Sequence, residues 1–516
     1  MKRVADFCYP FLIPEIMKKI ILLLLVVGTM FSCQKEDILT YATDPQIYQF
    51  KEISAITLGG VGASEISAYD PTTKKLFVVN NSDINRIDVV DLSNPTSPVL
   101  LGKILMAPYG GYVNSVAVSN GKLAAAIEAS NKQAAGKCVV FNTSDLAEIK
   151  QITVGSLPDM VTFSPDGNFI MTANEGEPSD DYVNDPEGSI SIINVSAGYA
   201  VKTLNFAGFE SNLAALKAKG FRVFGPGASL AKDTEPEYVT ISADSKTAWV
   251  TLQENNAIAK VDLTSQTITD VFPLGFKDYS DLNNAFDFSD KDAKVQFSSY
   301  AKIKGIYMPD AIAVYEKNGI PYLFTANEGD AREYAKFAEV KRVKDINLDA
   351  TNFPTGAALK VDAALGRLNI TTTLGDTDGD GDFDELYSLG ARSMSVWNGI
   401  TGAQVFDTKN EIDHRSILAG LYDDNRSDDK GSEPEGVAIG KIGDRTYAFI
   451  GCERTDAMMI YDITNPERPL FKLTLKTGDA PEGILFIPAD KSPNKLPLII
   501  VSSENDGQVK CYSPIQ

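Results

Sequence analysis

The sequence repeats one short pattern from Ser64 to its C-terminal end: a Pro-acid pair, an apolar run, a turn, a second apolar run and a closing acidic residue. The clearest copies are Leu157–Pro178, Glu235–Asn255, Met308–Tyr334, Glu433–Arg454 and Ala480–Asp506, and weaker copies begin at Ser64 and Val113. Copies at a spacing of roughly 40 residues with short β-runs are typical of β-propellers and related repeat arrays. The repeat therefore limits the fold more than any other feature of the chain.

The copies predict an all-β fold, a seven-bladed β-propeller, with six or eight blades as alternatives. Phe50–Leu58 shows a partial alternation of apolar and polar residues, which predicts a strand that stands apart from the repeats. A propeller removes the open edge of an incomplete blade when a strand from one end of the chain completes the blade at the other end. We therefore expect this N-terminal strand to close the last blade. The predicted propeller spans residues 49–516, with insertions at 207–234, 275–307 and 335–389.

The first 33 residues are typical of an export signal. Two lysines, Lys18 and Lys19, precede the apolar run Ile20–Val27, and Ser32-Cys33 resembles a bacterial lipobox. The apolar run is shorter than the ~20 residues of a membrane-spanning helix. We predict a lipoprotein signal peptide over residues 1–33 that starts at Met17 and leaves Cys33 as the lipid anchor. A plain secretory peptide is the alternative.

Residues 34–48 are predicted to be a polar tether. Its first residues, Gln34–Asp37, resemble the acidic export signal of surface-exposed lipoproteins in some Gram-negative bacteria. The sequence thus predicts an outer membrane lipoprotein exposed at the cell surface, with a periplasm-facing position as the alternative. Membrane contact would be through the lipid anchor only.

The composition of the chain excludes some partners and some kinds of metal site. The net charge of −21 repels nucleic acid, so no nucleic-acid partner is expected. With His414 as the single histidine, a multi-histidine zinc site is impossible, and His414 itself is predicted to be a surface residue. Carboxylates would have to carry any metal chemistry, which favours hard cations with oxygen ligands such as Ca²⁺ or Mg²⁺. Cys138, Cys452 and Cys511 are predicted to be buried, and a Cys452–Cys511 bridge stays open.

Acidic residues occupy two equivalent positions in the repeats. The residues that open the first strand are Glu65, Asn114, Asp159, Glu237, Asp310, Glu435 and Glu482. The residues that close the second strand are Asn81, Glu128, Glu175, Glu254, Glu328, Glu453 and Glu504. In an antiparallel hairpin these two positions lie at the same end of the sheet. We therefore predict an acidic mouth at one end of a central channel.

Carboxylates crowded in this way repel one another unless they are protonated, paired or bound to a cation. The predicted Ca²⁺ ligands at the mouth are Asp159, Glu237, Asp310, Glu435 and Glu482. As the alternative, these acids cap backbone amides or pair with Arg332 and Arg454.

A second acidic group has the spacing of a calcium loop. Its predicted ligands are Asp376, Asp378, Asp380, Asp382 and Asp384. Alternating acids with Gly381 permitting the turn suit a hard cation. The twelfth position is Tyr387 rather than Glu, so an EF-hand is not supported. Two further acidic stretches, Asp180–Glu187 and Asp423–Glu435, are predicted to be solvated loops or to add ligands at the mouth.

Several long motifs point to a known family. They are TANEGEPSDDY (172–182), YMPDAIAVY (307–315), TANEGDAREY (325–334), LGDTDGDGDFDELYSLGARSMSVW (374–397) and DKGSEPEGV (429–437). These motifs resemble the choice-of-anchor I family, which includes bacterial surface proteins and mesenchyme-specific cell-surface glycoproteins. The resemblance implies a propeller-like extracellular domain attached to the cell envelope. Some relatives carry an alkaline-phosphatase label, but the single histidine excludes two-zinc phosphatase chemistry here.

Two functions follow from these features. The first is a calcium-binding propeller that acts as a binding or scaffold module for an extracellular ligand, which could be a phosphoester, a glycan or a protein. The alternative is a calcium-dependent phosphoesterase at the channel mouth. Its candidate catalytic residues are Glu175, Glu328, Glu453, Arg332 and Arg454, with the two arginines offsetting charge in the transition state.

Overall fold

The structure is a computed structural model that describes residues 49–515. The predicted signal peptide, the anchor Cys33 and the tether lie outside the described residues. Within the described chain, the strands form seven four-stranded antiparallel sheets and three smaller sheets, so the all-β class is confirmed. None of the helices in this part of the chain has the length and hydrophobicity to cross a membrane.

The strands follow the repeats closely. The described chain begins with β1 (Gln49–Thr57). The first two sheets contain β2 (Ser67–Asp70), β3 (Lys75–Asn80), β4 (Arg86–Asp91), β5 (Val99–Leu105), β6 (Val113–Ser119), β7 (Lys122–Ile127), β8 (Ala135–Asn142) and β9 (Glu148–Ser156). The next two sheets contain β10 (Pro158–Phe163), β11 (Phe169–Asn174), β12 (Ser189–Asn194), β13 (Ala200–Leu204), β14 (Pro236–Ile241), β15 (Thr247–Leu252), β16 (Ala257–Asp262) and β17 (Thr267–Pro273).

The second half contains the short strands of two insertions as well as three further sheets. Its strands are β18 (Phe276–Asp278), β19 (Ile303–Ile306), β20 (Ile312–Lys317), β21 (Ile320–Asn327), β22 (Glu333–Tyr334), β23 (Phe337–Ala338), β24 (Val340–Arg342), β25 (Asn369–Thr371), β26 (Leu386–Ser388), β27 (Ser393–Asn398) and β28 (Gln404–Asp407). The last are β29 (Pro434–Ile442), β30 (Arg445–Cys452), β31 (Ala457–Asp462), β32 (Leu470–Lys476), β33 (Pro481–Ile487), β34 (Leu498–Ser503) and β35 (Gln508–Ile515).

Helices are short and lie in the connections between strands. The α-helices are α1 (Leu213–Lys217), α2 (Leu230–Asp233), α3 (Gly356–Leu359) and α4 (Glu411–Ala419). Single 3₁₀ turns are Ala207–Asn212, Leu282–Asn284, Val343–Asp345, Asp424–Arg426 and Glu453–Thr455, and Asp362–Gly366 is a π-turn. His414 lies on α4, where its side chain is exposed.

The sheets form a closed ring. The first strand of each sheet contacts the first strand of the next, from β2 through β6, β10, β14, β20 and β29 to β33, and β33 contacts β2. A ring of four-stranded antiparallel sheets is the arrangement of a β-propeller. Strand β1 pairs antiparallel with β35, from Gln49 opposite Ile515 to Thr57 opposite Gln508. The N-terminal strand is therefore the outer strand of the sheet that contains β33, β34 and β35.

The apolar core lies between neighbouring sheets rather than in one central cluster. Phe77 and Val79 of β3, for example, pack with Val116 of β6 and Leu123 of β7. Strands in the middle of each sheet are covered on both faces, so they read as continuous apolar runs without alternation. Cys138, Cys452 and Cys511 are buried free thiols in these strands, so Cys452 and Cys511 do not pair.

The two later insertions form one unit. Strand β19 pairs in parallel with β26, which joins the segment at 275–307 to the segment at 335–389. Tyr279 and Ile303 of the first pack against Val343 and Leu386 of the second in a separate apolar cluster. The excursion at 207–234 is tied to the second insertion by an ion pair between the buried side chains of Arg222 and Glu339.

Candidate functional site: an acidic cavity on the ring axis

A backbone irregularity places a side chain at the same point of most sheets. In five sheets the pairing register shifts by one residue at the start of the first strand, as between Pro158 and Met160. The opener residue of each of these sheets falls within the shift: Asn114, Asp159, Glu237, Glu435 and Glu482. Such a bulge turns a side chain out of the regular alternation of the strand. The openers therefore point toward the axis and not into the core between sheets.

Neighbouring openers are also close in space. A Cβ at Gly436 would lie 2.3 Å from the carbonyl oxygen of Glu482, and a Cβ at Gly483 would lie 2.3 Å from that of Glu65. Only glycine fits at these two positions, because any larger residue would clash with the backbone of the next sheet. The close approach brings the acidic residues of adjacent sheets into one cavity.

The cavity on the axis has a volume of about 330 Å³. Five acids on its wall form no ion pair in the described part of the chain, and we call them the mouth carboxylates: Asp159, Glu237, Asp310, Glu435 and Glu482. A second cavity of about 360 Å³ adjoins it, and Asn114 and Asp159 line both.

The predicted openers and closers are distributed over these two cavities. All seven openers line one cavity or the other. Of the closers, Glu328 and Glu453 line the axial cavity, and Asn81, Glu128 and Glu175 line the second one. Glu254 and Glu504 belong to neither wall. The structure thus brings most of the predicted positions together at one end of the ring.

Burial and mutual repulsion shift the titration of these groups. Burial, with repulsion from Glu177, raises the pKa of Asp159 to about 7. Burial, with repulsion from Glu504, raises the pKa of Glu65 to about 8. The pKa values of the other mouth carboxylates are raised well above the usual range for the same two reasons. The Oε2 atoms of Glu237, Glu435 and Glu482 are buried without a hydrogen-bond partner.

One corner of the cavity carries its own cations, and we call it the Lys430 cluster: Lys430 with Glu328, Glu433 and Glu453. Carboxylate oxygens of the three glutamates lie within 4.8 Å of one another. The Lys430 Nζ atom lies 2.5 Å from Glu328 Oε1 and 3.2 Å from Glu433 Oε2. Arg454 Nη1 lies 2.8 Å from Glu453 Oε1. The negative charge of this corner is therefore offset by the chain itself.

Arg332 lies away from the axial cavity. Its guanidinium donates to Asp233 Oδ1 at 2.7 Å and to Glu235 Oε2 at 3.1 Å, and the side chain is 3% exposed. Arg332 is thus held by two buried acids. It does not line the axial cavity, where the phosphoesterase hypothesis places its catalytic residues. Arg454 does line the cavity, but it is paired with Glu453.

The predicted calcium loop closes on itself. Asp376, Asp378 and Asp384 bring carboxylate oxygens within 4.8 Å of one another, and Asp382 forms a similar group with Asp384 and Asp349. Asp380 belongs to neither group, although the spacing rule includes it. The backbone amides of Gly379 and Gly381 donate to Asp376 at 2.7 and 3.1 Å, which holds the turn in shape.

Sequence reasoning missed several residues of both sites. Lys430 and Glu433 come from the acidic stretch Asp423–Glu435; the sequence did not indicate that Lys430 reaches the cavity or that Glu433 pairs with it. Tyr238 follows the opener Glu237 and also lines the axial cavity. Asp349 lies well before the calcium loop in the chain, and no local spacing signals it. The other acidic stretch, Asp180–Glu187, contributes no residue to either cavity wall in the described chain.

The raised pKa values predict how stability changes with pH. A carboxyl group that stays protonated in the fold but ionises in the unfolded chain adds stability that is fully present below its unfolded pKa, which is 3.8 for Asp159 and 4.5 for Glu65. That stability is lost as the pH rises through the folded pKa, which is about 7 for Asp159 and about 8 for Glu65. We expect the urea midpoint, measured in chelator, to fall steadily from pH 5 to pH 8.

The variant Asp159→Asn serves as the control for this pH series. It removes one of the titrating groups and should flatten the fall between pH 5 and pH 7. A midpoint that stays constant or rises over this range in the unmodified protein would contradict the assignment.

The sequence is similar to a known domain family and to two proteins from marine animals. Residues 65–466 match the model of the choice-of-anchor I domain. Gigasin-3a of Magallana gigas is 30% identical over 189 residues, which cover 30% of this chain and 66% of that protein. A mesenchyme-specific cell surface glycoprotein of Strongylocentrotus purpuratus is 24% identical over 333 residues, which cover 54% of this chain and 42% of that protein. The chain thus spans less than two thirds of the length of each of these relatives.

Solved structures that resemble the chain include the WD40 repeats of RRP9 and a chain of Kuenenia stuttgartiensis hydrazine synthase. The first has a TM-score of 0.49 and 9% identity and covers 91% of this chain and 100% of that chain. The second has a TM-score of 0.48 and 13% identity and covers 88% of this chain and 96% of that chain.

Proposed function

The chain belongs to the choice-of-anchor I family, and from that membership we propose that it is a surface-displayed binding module. In this proposal the seven sheets are the blades of one propeller, closed by β1. The axial cavity binds a positively charged ligand, and the loop at 376–384 binds Ca²⁺ as a structural ion.

The observation that supports this proposal most is the charge of the axial cavity. Five mouth carboxylates from five different sheets face one cavity, and in the described chain no lysine or arginine pairs with them. Acids held together in this way repel one another, so a bound cation lowers the free energy of the folded state. The same arrangement recurs from sheet to sheet, which is expected if the ring as a whole forms a binding site.

Surface display is supported by the family and by the N-terminal sequence. A relative is named as a cell surface glycoprotein. The segment ahead of β1 carries the features of a lipoprotein signal, and a lipid on Cys33 would attach the propeller to the outer membrane through residues 34–48. The exposed position would present the ring to ligands outside the cell.

The geometry does not favour the phosphoesterase alternative. A phosphoester would enter a cavity in which acids outnumber the two cations, and Lys430 and Arg454 are already paired with glutamates. A phosphate group is repelled by such a surface unless metal ions outweigh the acids. Arg332, the other candidate, is held by Asp233 and Glu235.

The calcium loop provides the test of the structural ion. A ligand that binds only the folded state stabilises it by about 2.7 kcal/mol at a hundredfold excess over its Kd. We expect Ca²⁺ to raise the melting temperature of the protein and Asp384→Asn to remove that rise, because Asp384 belongs to both carboxylate groups of the loop. Scanning calorimetry of each protein, with calcium and with chelator, measures this change in melting temperature.

Asp380→Asn is the matched control, since Asp380 lies in the same loop but outside both groups. It should keep most of the calcium response. An equal calcium response in Asp384→Asn and in the unmodified protein would refute calcium binding at this loop.

A further inference from the structure

We propose that the mouth carboxylates bind an ammonium or guanidinium group carried on an aliphatic stem, either a free diamine or a basic side chain of a partner protein. This inference rests on the proposed binding role of the axial cavity and names the class of its ligand.

The cavity already binds one such group. Lys430 is a primary ammonium on a four-carbon stem, and its Nζ atom is held by Glu328 at 2.5 Å, Glu433 at 3.2 Å and Asp330 at 3.4 Å. The side chain is 10% exposed, so the ammonium is bound largely without water. The chain itself therefore shows that carboxylates of this cavity can hold an alkylammonium ion.

Beside the Lys430 cluster, the mouth carboxylates have no equivalent cation. In the described chain none of them forms a salt bridge, and the Oε2 atoms of Glu237, Glu435 and Glu482 are buried without a hydrogen-bond partner. A buried polar atom without a partner costs free energy, so it marks a position where a donor is expected. An ammonium group supplies three N–H donors together with the missing positive charge.

The space below the acids suits an aliphatic stem. Ile66, Ser115, Met160 and Tyr238 line the axial cavity and also a further cavity of about 240 Å³ that adjoins it. The wall of this further cavity combines polar groups with the apolar side chains of Val116, Ala117, Val118, Val161, Ile484 and Leu485. Methylene groups can be buried against such a wall while the charged end stays among the carboxylates. Tyr238 adds an aromatic ring, which attracts organic cations.

The spacing of the acids also favours an organic cation over a single metal ion. Ca²⁺ needs several oxygens to converge at 2.3–2.6 Å from one point. In the described chain, groups of three acids whose oxygens lie within 4.8 Å of one another occur in the calcium loop and in the Lys430 cluster. The mouth carboxylates come one from each of five sheets around the axis, and their oxygens form no such group among the described residues.

Isothermal titration calorimetry tests the inference. The ligands are 1,5-diaminopentane, a short lysine-containing peptide, and 1,5-pentanediol as a neutral molecule of the same length. We expect the diamine or the peptide to bind and the diol not to bind. Asp310→Asn combined with Glu482→Gln should weaken binding at least tenfold, because each removes one carboxyl group that can ionise against the bound cation and accept its hydrogen bonds. Asp380→Asn in the calcium loop is the control and should leave amine binding unchanged.

Comparing the titrations shows whether the ligand is a small molecule or a partner protein, and which of the two proposals fails if the amines do not bind. Stronger binding of the diamine supports a small-molecule ligand, and stronger binding of the peptide supports a partner side chain. If Ca²⁺ binds at the mouth, with loss in the double variant, while both amines fail, the inference is overturned but the cation-binding cavity stands. If neither the amines nor Ca²⁺ bind at the mouth, both the amine inference and the proposed cation-binding cavity are overturned. Neutralising two repelling acids should keep or raise the melting temperature, which shows that the double variant is folded.

Discussion

Replacing Arg332 with methionine is expected to lower the free energy of unfolding by about 3–5 kcal/mol, the usual cost of removing one partner from a buried ion pair. Arg332 is 3% exposed, and its guanidinium is the cation that Asp233 and Glu235 share. Both acids are almost completely buried, and Glu254 and Glu177 add further negative charge near Glu235. Without the arginine, these acids would stay ionised at high cost or take up protons.

Urea unfolding at pH 7 measures the loss in free energy of unfolding. Two further variants serve as a control and as a rescue. Lys246→Met removes an exposed cation 3.5 Å from Asp244 and should change stability by less than about 1 kcal/mol, because exposed pairs contribute little. Adding Asp233→Asn and Glu235→Gln to Arg332→Met should restore part of the loss, since it removes the charges left behind. A loss for Arg332→Met as small as that for Lys246→Met would show that the buried cluster is not held by charge.

Replacing Lys430 with methionine is expected to open a metal site in the axial cavity. Glu328, Glu433 and Glu453 bring their oxygens within 4.8 Å of one another, and Lys430 is the cation between two of them. In chelator the variant should lose about 3–5 kcal/mol of stability, because Glu433 is fully buried and loses its ammonium partner. Added Ca²⁺ should recover much of this loss, since three converging carboxylates form a hard-cation site.

The experiment is best done in the Asp384→Asn background, in which calcium binding at the loop is removed. The change in melting temperature on adding Ca²⁺ then reports calcium binding in the axial cavity alone. Lys430→Arg keeps a cation in place and should show neither the loss nor the calcium response. A Lys430→Met protein whose melting temperature does not respond to Ca²⁺ would mean that Arg426 and Arg454 are sufficient to neutralise the three glutamates.

The sequence predicted the strands and the positions of the openers well, because both follow from a local pattern that the chain repeats. A Pro-acid pair before an apolar run is visible without any knowledge of the fold. The pairing of β1 with β35 was also predictable, since a ring with one incomplete blade needs a strand from the other end of the chain.

The partners of the charged residues were not predictable in the same way. Arg332 is separated from Asp233 by 99 positions, and Lys430 from Glu328 by 102. Such pairs depend on how loops and insertions that are distant in the sequence fold over the ring, and no repeat or spacing encodes that. The same reason explains why Asp349 was missed beside the calcium loop. Asp380 fits the spacing, but its carboxylate accepts a hydrogen bond from the Asp382 amide and belongs to neither group of three acids.

The pairing of β1 with β35 has a consequence for the order of events during synthesis. The ribosome makes β1 before any other strand of the ring, yet its hydrogen-bonding partner is made last. At translation rates of about 5–20 residues per second, the wait between the two strands is on the order of 20 to 90 seconds. During this time the nascent chain carries a strand with nothing to pair with, and it depends on chaperones or on its own charged residues, Lys51 and Glu52, to avoid pairing with another molecule.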